Sequence, residues 1–150
     1  MESGMEQWTW NKSMSVGNAF LDADHRKLLG MIEEVESAMR AQDAATFSRT
    51  LKTFENAVRI HFRNEELIAL TIGHPFEQHK EEHQYVLNEL QQMEAELIDM
   101  HGRWSESAST HYFIFLSSWA SEHIREDDML MKLELQSRPY DFKPDNLASP

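Results

Sequence analysis

The strongest constraint on the fold of this chain is a repeat of core-type positions spaced alternately three and four residues apart. In one segment it runs through Phe47, Leu51, Phe54, Val58, His61, Glu65 and Ile68. In the next it runs through Phe76, His79, His83, Val86, Leu90, Met93, Leu97 and Met100. This spacing places every member on one face of an α-helix, as in helices that pack against one another. No alternating pattern of useful length indicates a strand, so the sequence predicts an all-α fold.

Two other segments carry a similar face. The first contains Leu21, His25, Leu28, Ile32, Val35 and Met39, and the second contains Tyr112, Leu116, Trp119, His123 and Leu130. Together the four patterns predict helices over about 21–41, 44–70, 75–101 and 107–135. Asp22 and Asp43 are candidate N-caps of the first two, and Pro75 is a favoured first-turn residue of the third. Short connections between them predict an up-down-up-down antiparallel four-helix bundle.

A length of 150 residues predicts a single domain over 1–150, large enough to bury its own core. The core of the bundle is expected over about 19–135. An N-terminal arm that includes Trp8 and Trp10, and a short C-terminal tail from Arg138 onwards, are expected to pack on the outside of the bundle.

Charge and composition exclude several classes of function. The formal net charge is −12 and no basic block occurs, so nucleic acid and anionic membrane surfaces are not expected partners. The absence of cysteine excludes disulfides, thiolate zinc sites and iron–sulfur clusters. The longest strongly apolar run, Tyr112 to Leu116, is too short to span a bilayer. No basic region followed by an apolar stretch marks a signal peptide, so we expect a cytoplasmic protein.

Polar residues occupy core positions on all four predicted helices. They are His25, His61, Glu65, His79, His83 and His123. His61 and Glu65 are one helical turn apart, as are His79 and His83, so each pair shares a face. Buried polar groups require hydrogen bonds or a metal, and a metal-free structural bundle leaves these histidines unexplained. We therefore expect a metal site, whereas His74, His101 and His111, near helix ends or in loops, are expected to be exposed.

The donor types narrow the choice of metal. Imidazole and carboxylate without thiolate suit iron, zinc, copper, nickel or manganese. Five histidines and two carboxylates exceed the ligands of one tetrahedral zinc but suit two adjacent ions that share both carboxylates and a solvent-derived oxygen. Splitting the histidines three and two then leaves one coordination position open. The second carboxylate should follow His123, and helical spacing alone nominates Glu126 or Asp127 rather than Asp128.

The ligand order resembles that of a known family. The chain carries His25, His61-Phe62-Arg63-Asn64-Glu65, His79-Lys80-Glu81-Glu82-His83 and His123-Ile124-Arg125-Glu126-Asp127-Asp128. This is similar to the hemerythrin pattern H…HxxxE…HxxxH…HxxxxD, especially in bacterial members, and it selects Asp128. Further similarities are Ser15-Val16-Gly17, Leu21-Asp22-Ala23-Asp24-His25, Glu65-Glu66 and Trp119. The resemblance extends roughly from Trp10 to Leu133.

The resemblance implies a non-haem di-iron centre with a bridging oxo or hydroxo group. One closed iron would be held by His79, His83 and His123, and one open iron by His25 and His61. The bridging carboxylates would be Glu65 and Asp128. O2 would bind reversibly to the open iron without turnover of a substrate, so we expect an oxygen carrier or store rather than an enzyme. The expected partners are O2 and an unidentified O2 acceptor or signalling protein.

Two positions depart from the family pattern. Ala120 follows Trp119, where members often carry leucine, and Met131 stands where they often carry tyrosine. We expect Trp119 and Ala120 to line the O2 pocket. The smaller side chain at Ala120 would enlarge that pocket and speed the oxidation of the O2-bound form.

Three alternative functions fit a histidine-rich four-helix bundle less well or need further partners. A ferritin-like di-iron enzyme requires Glu-x-x-His on two helices, and no histidine here follows a glutamate at that spacing. Oxygen or redox sensing would need a partner or a longer parent protein, since hemerythrin domains also occur fused to signalling modules. Peroxide or nitric-oxide chemistry at the same irons is a further alternative.

Overall fold

Four long helices make up most of the chain. The computed structural model describes residues 10–145, except for the side chains at positions 126 and 127, so the predictions for Trp8 and for residues 146–150 lie outside it. The helices are α1 (Ala19–Arg40), α2 (Ala44–Ile72), α3 (Glu77–Asp99) and α4 (Glu106–Glu122). No strand occurs within the described residues, which confirms the prediction of an all-α four-helix bundle. The connections between consecutive helices are short, as expected of an up-down-up-down bundle.

Short segments flank the bundle. A 3₁₀ turn, Lys12–Met14, precedes α1. After α4 the backbone continues through a π-helical turn (His123–Asp127), a 3₁₀ turn (Asp128–Met131) and the short helix α5 (Lys132–Leu135). The fourth predicted helix is therefore interrupted at the point where the expected ligands occur.

Capping residues explain where the helices begin. Asn18 caps α1, because its side-chain oxygen accepts hydrogen bonds from the backbone N–H groups of Phe20 and Leu21, both at 3.1 Å. The prediction that Asp22 is the cap was therefore wrong, since Asp22 lies inside the helix and is fully buried. Asp43 caps α2 as predicted and accepts the backbone N–H of Thr46 at 3.1 Å.

The helix α2 ends at Ile72 and is capped by Gly73, whose φ of 75° is the left-handed conformation that glycine adopts most readily. The next helix begins at Glu77, two residues after Pro75, so the predicted start was slightly early. Ser105 caps α4 by accepting the backbone N–H of Ala108 at 3.1 Å.

Two apolar clusters form the core. The larger one fills the middle of the bundle and includes Phe47, Phe54, Leu90 and Tyr112. The smaller one consists of Val16, Leu21, Ile68, Ala69, Met131 and Leu135. Along α1 and α2, the histidines and the glutamate of the predicted site lie between residues of the two clusters. A polar layer therefore separates two apolar regions of one bundle.

The N-terminal arm contributes to the core rather than lying wholly outside it. Met14 is 2% exposed and Val16 is fully buried. Trp10 packs against the larger cluster, with the guanidinium of Arg26 4.0 Å from its ring centroid. The prediction that Trp10 is a packing residue is confirmed.

The π-helical turn shifts the buried face of the chain by one residue. A continuous α-helix through His123 would have buried Leu130, but Leu130 is 60% exposed and Met131 is fully buried. The prediction that Leu130 faces the core was wrong, because a π turn inserts one residue into the helical repeat.

Asp22 joins the two ends of the described chain. Its carboxylate accepts hydrogen bonds from the backbone N–H of Val16 at 2.9 Å, the Ser15 hydroxyl at 2.6 Å and the Tyr140 hydroxyl at 2.7 Å. Nearby, the side-chain amide of Asn18 donates to the backbone carbonyl of Phe142 at 2.8 Å. These bonds hold the arm and the tail against the start of α1.

Among the described residues, no helix combines the length and the apolar character needed to cross a bilayer.

The bond between Tyr140 and Asp22 should contribute measurably to stability. We expect Tyr140→Phe to lower the free energy of unfolding by about 1 kcal/mol, because it removes a donor to a buried carboxylate. Urea unfolding followed by circular dichroism would measure this. Tyr85→Phe is the matched control, since Tyr85 is 61% exposed and should tolerate the change. Equal unfolding midpoints for the two variants would contradict the role given to Asp22.

Candidate metal centre

Five of the seven predicted ligands meet at one point in the bundle interior. They are His25, His61, Glu65, His123 and Asp128, and each offers a donor atom that lies within 4.8 Å of the others. All five side chains are almost completely buried. The first lies on α1, the next two on α2, and the last two on the segment that follows α4.

The π-helical turn places Asp128 in this group. The backbone N–H of Asp128 donates to the carbonyl of His123, five residues earlier, whereas an α-helix would use a residue four earlier. The wider turn brings a carboxylate at this spacing onto the same face as His123. The Asp128 Oδ2 atom lies 3.0 Å from His123 Nε2 and 2.5 Å from His25 Nε2. The side chains of the alternatives, Glu126 and Asp127, lie outside the described part of the chain.

Glu65 contacts histidines through both of its oxygens. Its Oε1 atom is 2.7 Å from His61 Nε2 and 2.9 Å from His123 Nε2. Its Oε2 atom is 2.8 Å from His83 Nε2, which lies on α3. One carboxylate thus connects histidines of α2, α3 and the segment after α4.

Asp128 has the same two-sided arrangement. Its Oδ1 atom faces His79 Nε2 at 3.6 Å, while its Oδ2 atom faces His25 and His123. Each carboxylate therefore directs one oxygen to an α3 histidine and the other to histidines elsewhere in the bundle. A carboxylate that bridges two adjacent ions needs this arrangement of its oxygens.

The grouping of the histidines differs in one respect from the one that the resemblance implies. His123 Nε2 lies 3.0 Å from His61 Nε2, and its donor atom gathers with those of His25 and His61 within 4.8 Å, although the His123 ring is as near to His83 as to His25, with centroids 5.7 Å apart in both cases. The split of three closed-iron ligands and two open-iron ligands therefore stays a prediction.

The donor atoms themselves fit a metal better than a hydrogen-bonded core. Several buried atoms at this point have no partner in hydrogen-bonding geometry among the described residues, even where a histidine nitrogen and a carboxylate oxygen lie 2.7–2.9 Å apart. They are Glu65 Oε1 and Oε2, His79 Nε2, His83 Nε2 and Asp128 Oδ1. Native cores rarely leave buried polar atoms unpaired, so a cluster of them calls for an explanation. Imidazole nitrogens and carboxylate oxygens that converge without proper hydrogen bonds are a donor set for divalent transition metals.

Electrostatics lead to the same conclusion. Burial lowers the pKa of His123, but the carboxylates of Asp128 and Glu65 outweigh this and raise that pKa to about 10. Burial raises the pKa of Glu65, yet the His123 and His61 imidazoles outweigh this and hold it well below its usual value. The buried carboxylates are thus stabilised by positive charge beside them, which either protonated imidazoles or metal cations can supply.

Aromatic rings fix the orientation of three of the histidines. The Phe62 ring stacks on His83 with centroids 3.6 Å apart and planes 2° apart. The Phe76 ring lies nearly parallel to His79 at 5.1 Å, and Trp119 lies over His123 at 5.1 Å. Stacked rings limit rotation of the imidazoles, so their nitrogens stay directed at the centre.

One functional contact was not found by sequence reasoning. Asp24, which the sequence presents only as part of the segment before His25, has its Oδ2 atom 3.1 Å from His61 Nδ1. The only sequence signal for it was an acidic residue directly before a predicted ligand. A carboxylate on the outer nitrogen of a metal-binding histidine is a common feature of metal sites.

Trp119 and Ala120 are both buried, at 7% and 3% exposed. A cavity of about 480 Å³ opens between α3 and α4, and its lining includes His83, Trp119 and His123. Trp119 and His123 therefore both border this cavity. The expectation that Trp119 and Ala120 line an O2 pocket stays a prediction.

The remaining histidines differ from one another. The prediction that His74 is exposed was wrong. Its side chain is only 12% exposed, and its Nδ1 atom lies 3.1 Å from Glu134 Oε1. The packing of α5 near the end of α2, which sequence spacing does not show, accounts for this. His101 and His111 are exposed, as predicted.

Comparison with known proteins agrees with the geometry. Residues 16–134 match the family model described as the hemerythrin HHE cation binding domain. Bacteriohemerythrin from Pseudomonas aeruginosa is 22% identical over 125 residues, which cover 83% of this chain and 78% of that protein. Bacteriohemerythrin from Stenotrophomonas maltophilia is 23% identical over 120 residues, covering 79% and 75%. The family model spans most of the sequence and includes all seven predicted ligands, and the chain therefore belongs to the hemerythrin family.

Proposed function

We propose that this protein binds O2 reversibly at a non-haem di-iron centre and serves as an oxygen carrier or store, without acting as an enzyme. The ligands would be His25, His61, Glu65, His79, His83, His123 and Asp128. The observation that carries the proposal is the pair of buried carboxylates, Glu65 and Asp128, each with one oxygen facing an α3 histidine and the other facing histidines elsewhere.

Ligand number supports two ions rather than one. Five imidazoles and two carboxylates exceed the coordination of a single tetrahedral ion. Two ions held by Glu65, Asp128 and the five histidines would account for all seven buried side chains that converge here. The two carboxylates carry two negative charges and the neutral histidines carry none, so a divalent pair held there would keep a net positive charge and would favour small anionic ligands.

The surroundings of the site support binding rather than turnover. The larger and smaller apolar clusters lie on either side of the polar layer and limit the access of water to it, except where the cavity between α3 and α4 reaches His83 and His123. When bound, a redox-active pair of metal ions supplies the electrons for reversible attachment of O2. This chain would supply the ligands, orient their rings and surround most of the site with apolar side chains. The relatives that match it bear the name bacteriohemerythrin.

The direct test is spectroscopic. The protein is loaded with iron, reduced under nitrogen, exposed to O2 and then returned to nitrogen while its visible spectrum is recorded. We expect two irons per chain and an O2-dependent absorption that disappears when O2 is removed. Irreversible oxidation at the first exposure would favour sensing or peroxide chemistry over a carrier role.

Asp128 is the ligand for which local helical spacing offers no support, so its replacement is informative. We expect Asp128→Asn to bind at most one iron per chain, because an amide is a poor bridge between two cations. Asp127→Asn is the matched control and should bind two. Iron content after loading and desalting measures both, and a full pair in Asp128→Asn would show that Asp128 is not a bridging ligand.

Ala120 offers a test of the pocket. It is 3% exposed and next to Trp119, so a larger side chain there would fill space inside the bundle. We expect Ala120→Leu to slow the conversion of the O2-bound form to the diferric form, measured as loss of its absorption in air. The thermal melting temperature of the metal-free variant controls for overpacking, which can cost about 1–3 kcal/mol. An unchanged oxidation rate in a stably folded variant would refute the role of Ala120.

A further inference from the structure

The histidines of the candidate centre are not supported equally at their outer nitrogens. His61 Nδ1 lies 3.1 Å from the carboxylate oxygen Oδ2 of Asp24. His25 Nδ1 is buried and has no hydrogen-bond partner among the described residues. These are the two histidines that the family pattern assigns to the open iron. One of them is held by a charged group and the other is not.

The position of Asp24 is suited to this contact. It precedes His25 on α1, so the two side chains leave the helix about a quarter-turn apart. His25 points to the centre, with Nε2 2.5 Å from Asp128 Oδ2, while Asp24 reaches the neighbouring helix α2 and contacts His61. Two consecutive residues of α1 thus act on the site, one directly and one through a ligand of another helix.

Burial makes the contact specific. The Asp24 side chain is 11% exposed and that of His61 is 1% exposed, so little water competes for the hydrogen bond. With Nδ1–H donating to Asp24, the lone pair of a neutral His61 ring remains on Nε2. That atom faces the centre, 2.7 Å from Glu65 Oε1. The contact therefore selects the tautomer in which His61 can bind a metal.

We propose that Asp24 is a positioning residue that holds His61 in its metal-binding tautomer and orientation and so strengthens the binding of one of the two ions. The inference rests on the proposed di-iron function and deepens it. Partners of this kind orient the ring and increase its basicity, and their loss commonly weakens metal affinity about 10–100-fold. Because the Asp24 carboxylate hydrogen-bonds one of the proposed ligands, His61, the effect should fall mainly on one ion rather than on both.

The test compares Fe²⁺ binding by the metal-free full chain and its variants under nitrogen, using a competing chelator to resolve two affinities. We expect Asp24→Ala to weaken one of them about 10–100-fold and to leave the other nearly unchanged. Asp24→Asn should recover part of the loss, because its amide oxygen can still accept the ring N–H. Glu34→Gln is the matched control, since it removes a charge from an exposed position of the same helix.

Two further readouts separate positioning from a general structural role. The melting temperature of the metal-free protein should fall by only about 2–4 °C in Asp24→Ala, as expected for the loss of one buried hydrogen bond. In the zinc-loaded protein, proton NMR should show a signal for the His61 ring N–H that exchanges slowly with water. In Asp24→Ala this proton should exchange rapidly, and in Asp24→Asn its slow exchange should be partly restored.

Each remaining outcome would overturn the proposal. Unchanged affinities in Asp24→Ala would exclude a positioning role while leaving the di-iron proposal intact. Equal weakening of the binding of both ions, together with a fall in melting temperature well beyond that of one lost hydrogen bond, would show that Asp24 is structural. Failure of the unmodified chain to bind a pair of ions would refute the proposed function and this inference together.

Discussion

The structure depends on the burial of two carboxylates, Glu65 and Asp128, at one level of a helical bundle. Both side chains are fully buried and both face several imidazoles. Unpaired charges in such an interior would be costly, and two like charges near each other increase that cost. Histidines from several helices surround the pair and satisfy it, either as imidazolium ions or as neutral ligands of bound cations. The packing of the helices thus places five imidazoles around two carboxylates.

Hydrophobic packing in the rest of the chain offsets the cost of burying this polar layer. Apolar residues lie on both sides of it, with Leu28 and Val58 in the larger cluster and Leu21 and Ile68 in the smaller one. Most of the hydrophobic stabilisation comes from these clusters, so the layer between them is free to serve a purpose other than packing. Asp22 fastens the arm and the tail at the start of α1, one turn before His25, and thereby steadies the end of the bundle nearest the site.

Much of this architecture could be predicted from the sequence, because the spacing of core positions is a local property that reports directly on helix faces. The buried positions of α1 and α2 were predicted correctly, including His25, His61 and Glu65. What could not be predicted depends on backbone geometry or tertiary contacts. The π turn moved the buried position from Leu130 to Met131, and only the family pattern identified Asp128 beforehand. The contact of Asp24 with His61 and that of His74 with Glu134 are tertiary contacts between residues far apart in the sequence, so local sequence patterns do not predict them.

The most direct test of the central claim is a crystal structure of the iron-loaded protein with anomalous diffraction measured at the iron edge. Two iron peaks should appear inside the bundle, each within bonding distance of one oxygen of Glu65 and one oxygen of Asp128. A single peak, or a pair of peaks that does not share these two carboxylates, would contradict the account.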